Sequence, residues 1–386
     1  MNPRLAALDF ITACLGVRSE AEIGNTLHSA VASGHLNWHT VIEISNTDLV
    51  TPALWVALRN KGLVERLPSD VREYLRELHR LNTLRNEHLR TQLIEAIRQL
   101  NSIGIKPVVL KGAASFFVKI FDDPGSRVMV DLDILVPQKA AEDCWNILHI
   151  LGYSPANKDY DYSHHHHLRP LYRPGDYGAI EIHRDVLPNS TARLLPTQLV
   201  GRNIEAIQES DIELSIPTPT FRILHNLLHS SLVDEKYGRG EIALRSLHEL
   251  VMMQAVYNQR IDWETIRQLM DRGGQAKVLH ASLYLAHRLF GSPMPDRIGP
   301  TFRAIAHYAR TRLQFRWNWT NKLVDRASWF STQSIRERYN CDNNFWSVAK
   351  GRIRLAAFLF GKYSSQIFRL IGRRIRKGRA RTQTSA

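Results

Sequence analysis

In "VMVDLDILV", Asp131 and Asp133 stand two residues apart inside an apolar, β-branched run. Side chains of a strand alternate between faces, so both carboxylates project from one face while Val130, Leu132 and Ile134 project from the other. Two ionised carboxylates on neighbouring same-face positions repel, and a divalent cation relieves the conflict. Hard oxygen donors favour Mg²⁺ or Mn²⁺ over zinc. A cation so held suits phosphoryl chemistry, bridging phosphate oxygens and orienting the attacking and leaving atoms. Upstream, "VVLKGAAS" runs a strand into a helix through Gly112, whose missing Cβ lets a phosphate approach backbone N–H groups at the helix start. Lys111 at that junction, and Arg127 four residues before Asp131, are placed to neutralise phosphate charge. An Asp-x-Asp triplet alone is common on solvated strand ends; the glycine turn and the two cations point it toward phosphate.

The elements that must position these residues can be read from periodicity. From Leu5 to about Leu100 the apolar spacing is helical throughout, and in "NEHLRTQLIEAIRQLNSIGI" Leu89, Leu93, Ala96, Ile97 and Leu100 share one face before Gly104 ends the helix. "KPVVLKG" and "RVMVDLDILV" then read as strands, with "AASFFVKIF" between them at helical period. "QKAAEDCWNILHILGY" follows as a helix with Ala141, Cys144, Trp145, Leu148 and Leu151 on one side. Residues 162 to 185 offer two extended runs around "RPGD", which predicts a β-hairpin centred between Pro174 and Gly175. After Pro188 the pattern is helical again: four helices across "TPTFRILHNLLHSSLVDEKYG", "EIALRSLHELVMMQAVY", "IDWETIRQLMDRGG" and "AKVLHASLYLAHRLFG", with Asp262 as an N-cap. Helix is expected again over 301–317 and 343–372. These runs divide the chain into a helical region (1–100), a core (101–190), a second helical lobe (191–335) and a basic extension (336–386).

A chain of 386 residues can bury sizeable cores without disulfides or a structural metal. Cys14, Cys144 and Cys341 are odd in number, far apart and lack a CxxC pair, which fits free thiols in a reducing compartment. With no apolar run long enough for a membrane span, a cytoplasmic location is expected. The net charge is +14, and the last 36 residues, from Gly351, hold ten Lys or Arg and no Asp or Glu. Such a tail attracts nucleic-acid phosphates or anionic lipid in a salt-dependent way, unless it is simply a solvated end. The segment "VAKGRIRLAAFLFGKYSSQIFRLIGRRIRK" has the pattern of a membrane-surface or partner-docking helix.

The run "GIKPVVLKGAASFFVKIFDDPGSRVMVDLDILVPQKAAEDCWNILHILGY" resembles the uncharacterised nucleotidyltransferase family within the DNA polymerase β-like superfamily. The later stretches "HHHHLRPLYRPGDYGAIEIH", "LHNLLHSS", "LRSLHELVMM" and "IDWETI" extend the resemblance over roughly residues 60 to 295. It implies an α+β fold, with a small mixed-sheet polymerase β-like nucleotidyltransferase core flanked by helical N- and C-terminal lobes. It also implies the family's site: the glycine turn at Gly112, the pair Asp131 and Asp133, and a third acidic residue on a neighbouring strand, Glu181 of "AIEIH". The turn is usually Gly-Gly or Gly-Ser; here it reads Gly112-Ala113-Ala114-Ser115, with Ser115 in the serine's place. The implied activity is transfer of a nucleoside monophosphate from an NTP to a hydroxyl acceptor with release of pyrophosphate, assisted by Mg²⁺ or Mn²⁺.

The histidines of "SHHHHLRP" raise a separate question. With the hairpin centred as above, Glu181 lies opposite Leu168 and His183 opposite His166, which places His166 and His183 on the Glu181 face and turns His165 and His167 away. A four-ligand zinc cluster from consecutive strand residues is then geometrically poor. His166 and His183 are either polar strand residues lining a pocket or contacts to phosphate or a metal-bound water. His225 and His229, four apart on a helix, have metalloprotease spacing without its glutamate, since Asn226 stands there. The tryptophans of "RLQFRWNWTNKLVDRASWF" suit core or interface packing.

Lys111, Gly112, Ser115 and Arg127 are thus the expected nucleotide-binding residues, and Asp131, Asp133 and Glu181 the expected catalytic and metal-binding ones. The acceptor stays open among a small hydroxylated molecule, a protein side chain and an RNA 3′ end. Two other readings stay open: a core that has lost catalysis and senses nucleotide or binds protein, and an RNA-binding scaffold acting through the basic tail.

Overall fold

The computed structural model describes residues 2–155, 162, 165–317, 335 and 346–354. Residues 1–316 form one compact unit and 317–386 a second. The first unit opens with four helices, α1 (Pro3–Leu15), α2 (Glu20–Ala32), α3 (Trp38–Thr47) and α4 (Thr51–Asn60), as the helical periodicity predicts. The long α5 (Ser69–Ser102) follows, and Gly104, at φ +78°, turns the chain out of it.

Among the described residues the sheet has seven strands: β1 (Val108–Val109), β2 (Asp131–Leu135), β3 (Ser154–Pro155), β4 (Leu171–Tyr172), β5 (Ala179–His183), β6 (Ile204–Glu209) and β7 (Ile212–Pro217), in the spatial order β3-β4-β5-β2-β1-β7-β6. It is mixed: β2 runs parallel to β5, and β1 parallel to β7, while the remaining pairs are antiparallel. The fold is therefore α+β with a mixed sheet and flanking helices. Leu132 and Ile134 of β2, with Ile180 and Ile182 of β5, pack against Leu89, Leu93, Ala96, Ile97 and Leu100 of α5 and Cys144 and Leu148 of α6 (Ala141–Ile150). At roughly 25 cal/mol per Å² of apolar surface removed from water, this layer fixes which face of β2 is left for the carboxylates.

Beyond β5 come the short α7 (Thr197–Gly201), the hairpin β6–β7, and then α8 (Pro219–Leu228), α9 (Lys236–Arg239), α10 (Leu244–Tyr257), α11 (Trp263–Arg272), α12 (Ala276–Phe290) and α13 (Phe302–Arg316). Asp262 caps α11 by accepting the Thr265 N–H at 2.9 Å. Residues of α8, α10 and α12 share a core with α1, α3 and α4, so the helices from both ends of this unit pack together beside the sheet.

Three expectations change. The hairpin β6–β7 replaces the wholly helical pattern expected after Pro188; β7 joins the sheet through the Ser215 N–H to Pro107 O bond at 2.9 Å. The segment "AASFFVKIF" contributes only the end of a short 3₁₀ stretch, Lys111–Phe116. The chain up to Arg127 is instead held by buried amides of α5, because Asn82 Nδ2 donates to Gly125 O (2.7 Å) and Arg127 O (3.0 Å), and Asn86 Nδ2 to Pro124 O (2.7 Å) and Arg127 O (2.8 Å). The third change is register. The turn forms at Arg173–Asp176 with Gly175 at φ +91°, but Leu171 pairs with Ile180 and His167 with His183. Tyr177 and Gly178 drop out of the ladder because their carbonyls accept from Arg85 (3.1 Å) and Gln92 (2.9 Å) of α5.

Within the second unit, residues 346–354 are helical, inside the stretch expected to be so. His164, Cys341, most of the tryptophan-rich segment and the tail beyond Arg354 lie outside the described residues.

Candidate active site

The parallel pairing of β2 and β5 sets Asp133 beside Glu181 and Leu135 beside His183. With Leu132 and Ile134 committed to the core, Asp131 and Asp133 share the opposite face with Glu181 and His183. The three carboxylates that the family resemblance implies thus lie on one face of two adjacent strands.

Their surroundings differ sharply. Asp133 is 1% exposed, and its Oδ1 accepts from Lys111 Nζ at 2.6 Å and from His183 Nε2 at 2.8 Å. Burial alone raises a carboxyl's pKa, but Lys111 and His183 overcome it and hold Asp133 well below the ordinary carboxylate range. Burial opposes charge on Lys111 and His183 too, yet their carboxylate neighbours outweigh it and raise both pKa values. The other ring nitrogen of His183 faces Asp185 O at 3.3 Å, so both nitrogens are placed as donors of an imidazolium. Glu181 Oε2 lies 3.6 Å from His183 Nε2 and 3.6 Å from His167 Nε2. Asp131 has no hydrogen-bond or salt-bridge partner among the described residues; burial and then Asp133 raise its pKa.

Asp131 opens into a cleft of about 220 Å³. Lys111, Gly112 and Arg127 line it on the sheet side, Arg222, His225 and His229 face it at the start and end of α8, and Arg245 and Glu249 complete the wall from α10. Beyond α8 the helix widens into a π-turn, His229–Val233, a deviation often found at functional sites. Arg245 has no hydrogen-bond or salt-bridge partner among the described residues, and Arg222 Nη2 is buried without one while Nη1 is bound to the Tyr257 hydroxyl. Burial depresses the pKa of both guanidinium groups. His225 is buried, its Nε2 unpartnered, and burial followed by the neighbouring His229 holds it neutral. The cleft therefore has a free carboxylate and two desolvated cations without salt-bridge partners among the described residues, an arrangement suited to a cation and a polyanion together.

The remaining expected residues are placed as follows. Arg127 lies in the cleft wall but is committed, its Nε and Nη2 donating to Glu249 Oε2 at 3.1 and 2.8 Å. Gly112 serves that arrangement: an added Cβ would fall 1.9 Å from Arg127 Nη1, so the glycine gives room to a guanidinium. Ser115 is not among the cleft-lining residues, and its Oγ is buried without a partner. His166 is 7% exposed, with its ring centre 5.1 Å from that of His183; His167, not His166, is the residue paired with His183. His165, His166 and His167 bend together rather than alternating between faces, with ring centres 4.1–4.8 Å apart.

Arg222, Asp234, Arg245 and Glu249 escaped the reading of the sequence. The signal was present: Arg222, His225 and His229 recur at helical spacing within an apolar run, as do Arg245 and Glu249.

The donor chemistry fits a divalent cation. Three carboxylates share one face, one of them, Asp131, is partly buried without a partner among the described residues, and Asp133 and Glu181 bring carboxylate oxygens within 4.8 Å of one another.

Comparison with known proteins adds the following. Residues 34–291 match the profile of the uncharacterised nucleotidyltransferase family. The chain is similar to a solved structure of an antigenic nucleotidyltransferase-like protein from Paracoccidioides brasiliensis, at 15% identity and a TM-score of 0.32, over 50% of this chain and 92% of that one. The comparison with curated proteins gives no match. No helix among the described residues is long and apolar enough to cross a membrane.

Proposed function

Because the chain belongs to the uncharacterised nucleotidyltransferase family, we propose that its cleft transfers a nucleoside monophosphate from an NTP to a hydroxyl acceptor. In that reaction the acceptor oxygen forms a bond to the α-phosphorus, the bond from that phosphorus to the pyrophosphate oxygen breaks, and pyrophosphate leaves. The observation that carries the reading is the unpartnered Asp131 carboxylate sharing a cleft with Arg222 and Arg245.

Asp131, Asp133 and Glu181 are the residues that would hold Mg²⁺ or Mn²⁺. When bound, such an ion would supply positive charge against the phosphates and ease deprotonation of the acceptor hydroxyl. Arg222 and Arg245 grip the triphosphate, since their desolvated guanidinium groups offer paired donors to phosphate oxygens. Lys111 and His183 fix Asp133 and balance its charge, so Lys111 acts on the nucleotide through that carboxylate and not as a free phosphate ligand. Asp131, the carboxylate that opens into the cleft without a partner among the described residues, accepts the acceptor's proton.

The test incubates the protein with each labelled NTP and Mg²⁺ or Mn²⁺ and follows label transfer and pyrophosphate. Asp131→Asn and Asp133→Asn should abolish both signals; transfer that survives both substitutions sinks the assignment.

A further inference from the structure

Imidazole nitrogens cluster beside the carboxylate face but outside the cleft described above. His165, His166 and His167 each bring one ring nitrogen to a common region, with these atoms within 4.8 Å of one another. They gather because His165 and His166 form a bend ahead of the His167–His183 bridge, so the alternation of a strand does not apply to them.

Their hydrogen bonding points to a ligand. The Nδ1 atoms of His165 and His166 are buried and have no hydrogen-bond partner among the described residues, and His166 is only 7% exposed. His167 Nδ1 lies 2.7 Å from Leu168 O, so that nitrogen carries the proton and leaves the Nε2 lone pair free. Anchoring one ring nitrogen on a backbone carbonyl is how metal-binding histidines are usually oriented. Glu181 Oε2, 3.6 Å from His167 Nε2, stands within reach of a fourth position.

We propose that His165, His166 and His167 form a three-imidazole site for a transition metal of the Zn²⁺ class, adjoining the hard-cation site of the carboxylates with Glu181 between the two. Nitrogens bound to one tetrahedral zinc stand about 3.4 Å apart, given bonds of about 2.1 Å, so the rings need only turn slightly to close on an ion. Neutral imidazoles select zinc and its neighbours over Mg²⁺, while the carboxylate face has the opposite preference. The segment preceding β4 would then be tied by metal to the strand that carries Glu181.

The experiment uses the full chain without a polyhistidine tag, stripped with chelator, loaded with Zn²⁺, dialysed and assayed for zinc by mass spectrometry. One zinc per chain is expected, lost in His165→Ala and in His166→Ala, and retained in Asp131→Asn. Absence of retained zinc in the wild type, retention in both histidine variants, or equal loss in Asp131→Asn overturns the proposal. Circular dichroism checks that the variants fold. If they do not, zinc-edge X-ray absorption on the wild type decides, with three imidazole ligands supporting the site and one or none refuting it.

Discussion

His183 Nε2 lies 2.8 Å from Asp133 Oδ1 in a pair in which neither side chain is more than 1% exposed. Removing one member of a buried ion pair leaves the other uncompensated, at a cost of about 3–5 kcal/mol. Lys111 still holds Asp133 at 2.6 Å, so His183→Ala is expected to destabilise the protein near the lower end of that range, about 3 kcal/mol. Asp131→Asn is expected to have the opposite sign or no effect, because Asp131 is a partly buried charge without a partner. Urea unfolding of the two variants checks both. A loss in Asp131→Asn as large as in His183→Ala would contradict the division of the two aspartates into a fixed one and a free one.

Arg245 reaches the cleft with no ionic partner among the described residues. A charge-assisted bond to phosphate contributes about 1.5–3 kcal/mol, so Arg245→Ala should weaken NTP binding by roughly ten- to a hundredfold. Fold stability should change little. Calorimetric titration with a non-hydrolysable NTP analogue checks the loss, and Arg245→Lys should restore only part of it because the planar fork is gone.

Gly112→Ala places a Cβ against the Arg127 guanidinium, which is anchored on Glu249 and Met129 Sδ. The expected result is a loss of about 1–3 kcal/mol by overpacking, together with weakened nucleotide binding as the Arg127–Glu249 pair shifts into the cleft. Thermal melts and the same titration read the two effects. An alanine variant with unchanged stability would show that the guanidinium yields freely.

Asp48 follows α3, and its Oδ1 accepts the Leu244 N–H at 3.4 Å. Burial raises its carboxyl pKa to about 6, against the smaller opposing effect of the Leu244 N–H. The folded state thus binds this proton more tightly than the unfolded chain, so the contribution to stability is full below about pH 4 and is lost as the pH rises through about 6. Asp48→Asn should therefore raise stability near pH 7 by about 2–3 kcal/mol and change it little at about pH 4. Unfolding curves at the two pH values check the sign; a variant less stable than wild type near pH 7 refutes it.

How much of this was legible in the sequence depends on where the information sits. The face of β2 was readable, because two aspartates alternating with Leu132 and Ile134 leave one arrangement once the apolar pair is buried. The apolar stripe of α5, from Leu89 to Leu100, was equally plain. The hairpin register was not, since it depends on Arg85 and Gln92 of α5 drawing off the carbonyls of Tyr177 and Gly178, residues more than 80 positions away. The gathering of His165, His166 and His167 depends on the same slip together with a local bend. Arg222 and Arg245 belong to helices whose spacing was legible, but only the β7-to-α8 connection, itself unexpected, brings them opposite Asp131.

Asp131 and Asp133 carry the proposed nucleotidyl transfer in the cleft. The most direct measurement is pyrophosphate release and label transfer from α-labelled NTPs in Mg²⁺ or Mn²⁺, by the wild type and by the correctly folded Asp131→Asn protein. Transfer by the wild type with at least one NTP is expected, with a loss of at least about a hundredfold in the variant, the scale expected for a group acting in proton transfer. Equal rates from the two proteins, or no turnover of any NTP with bound nucleotide present, would contradict it.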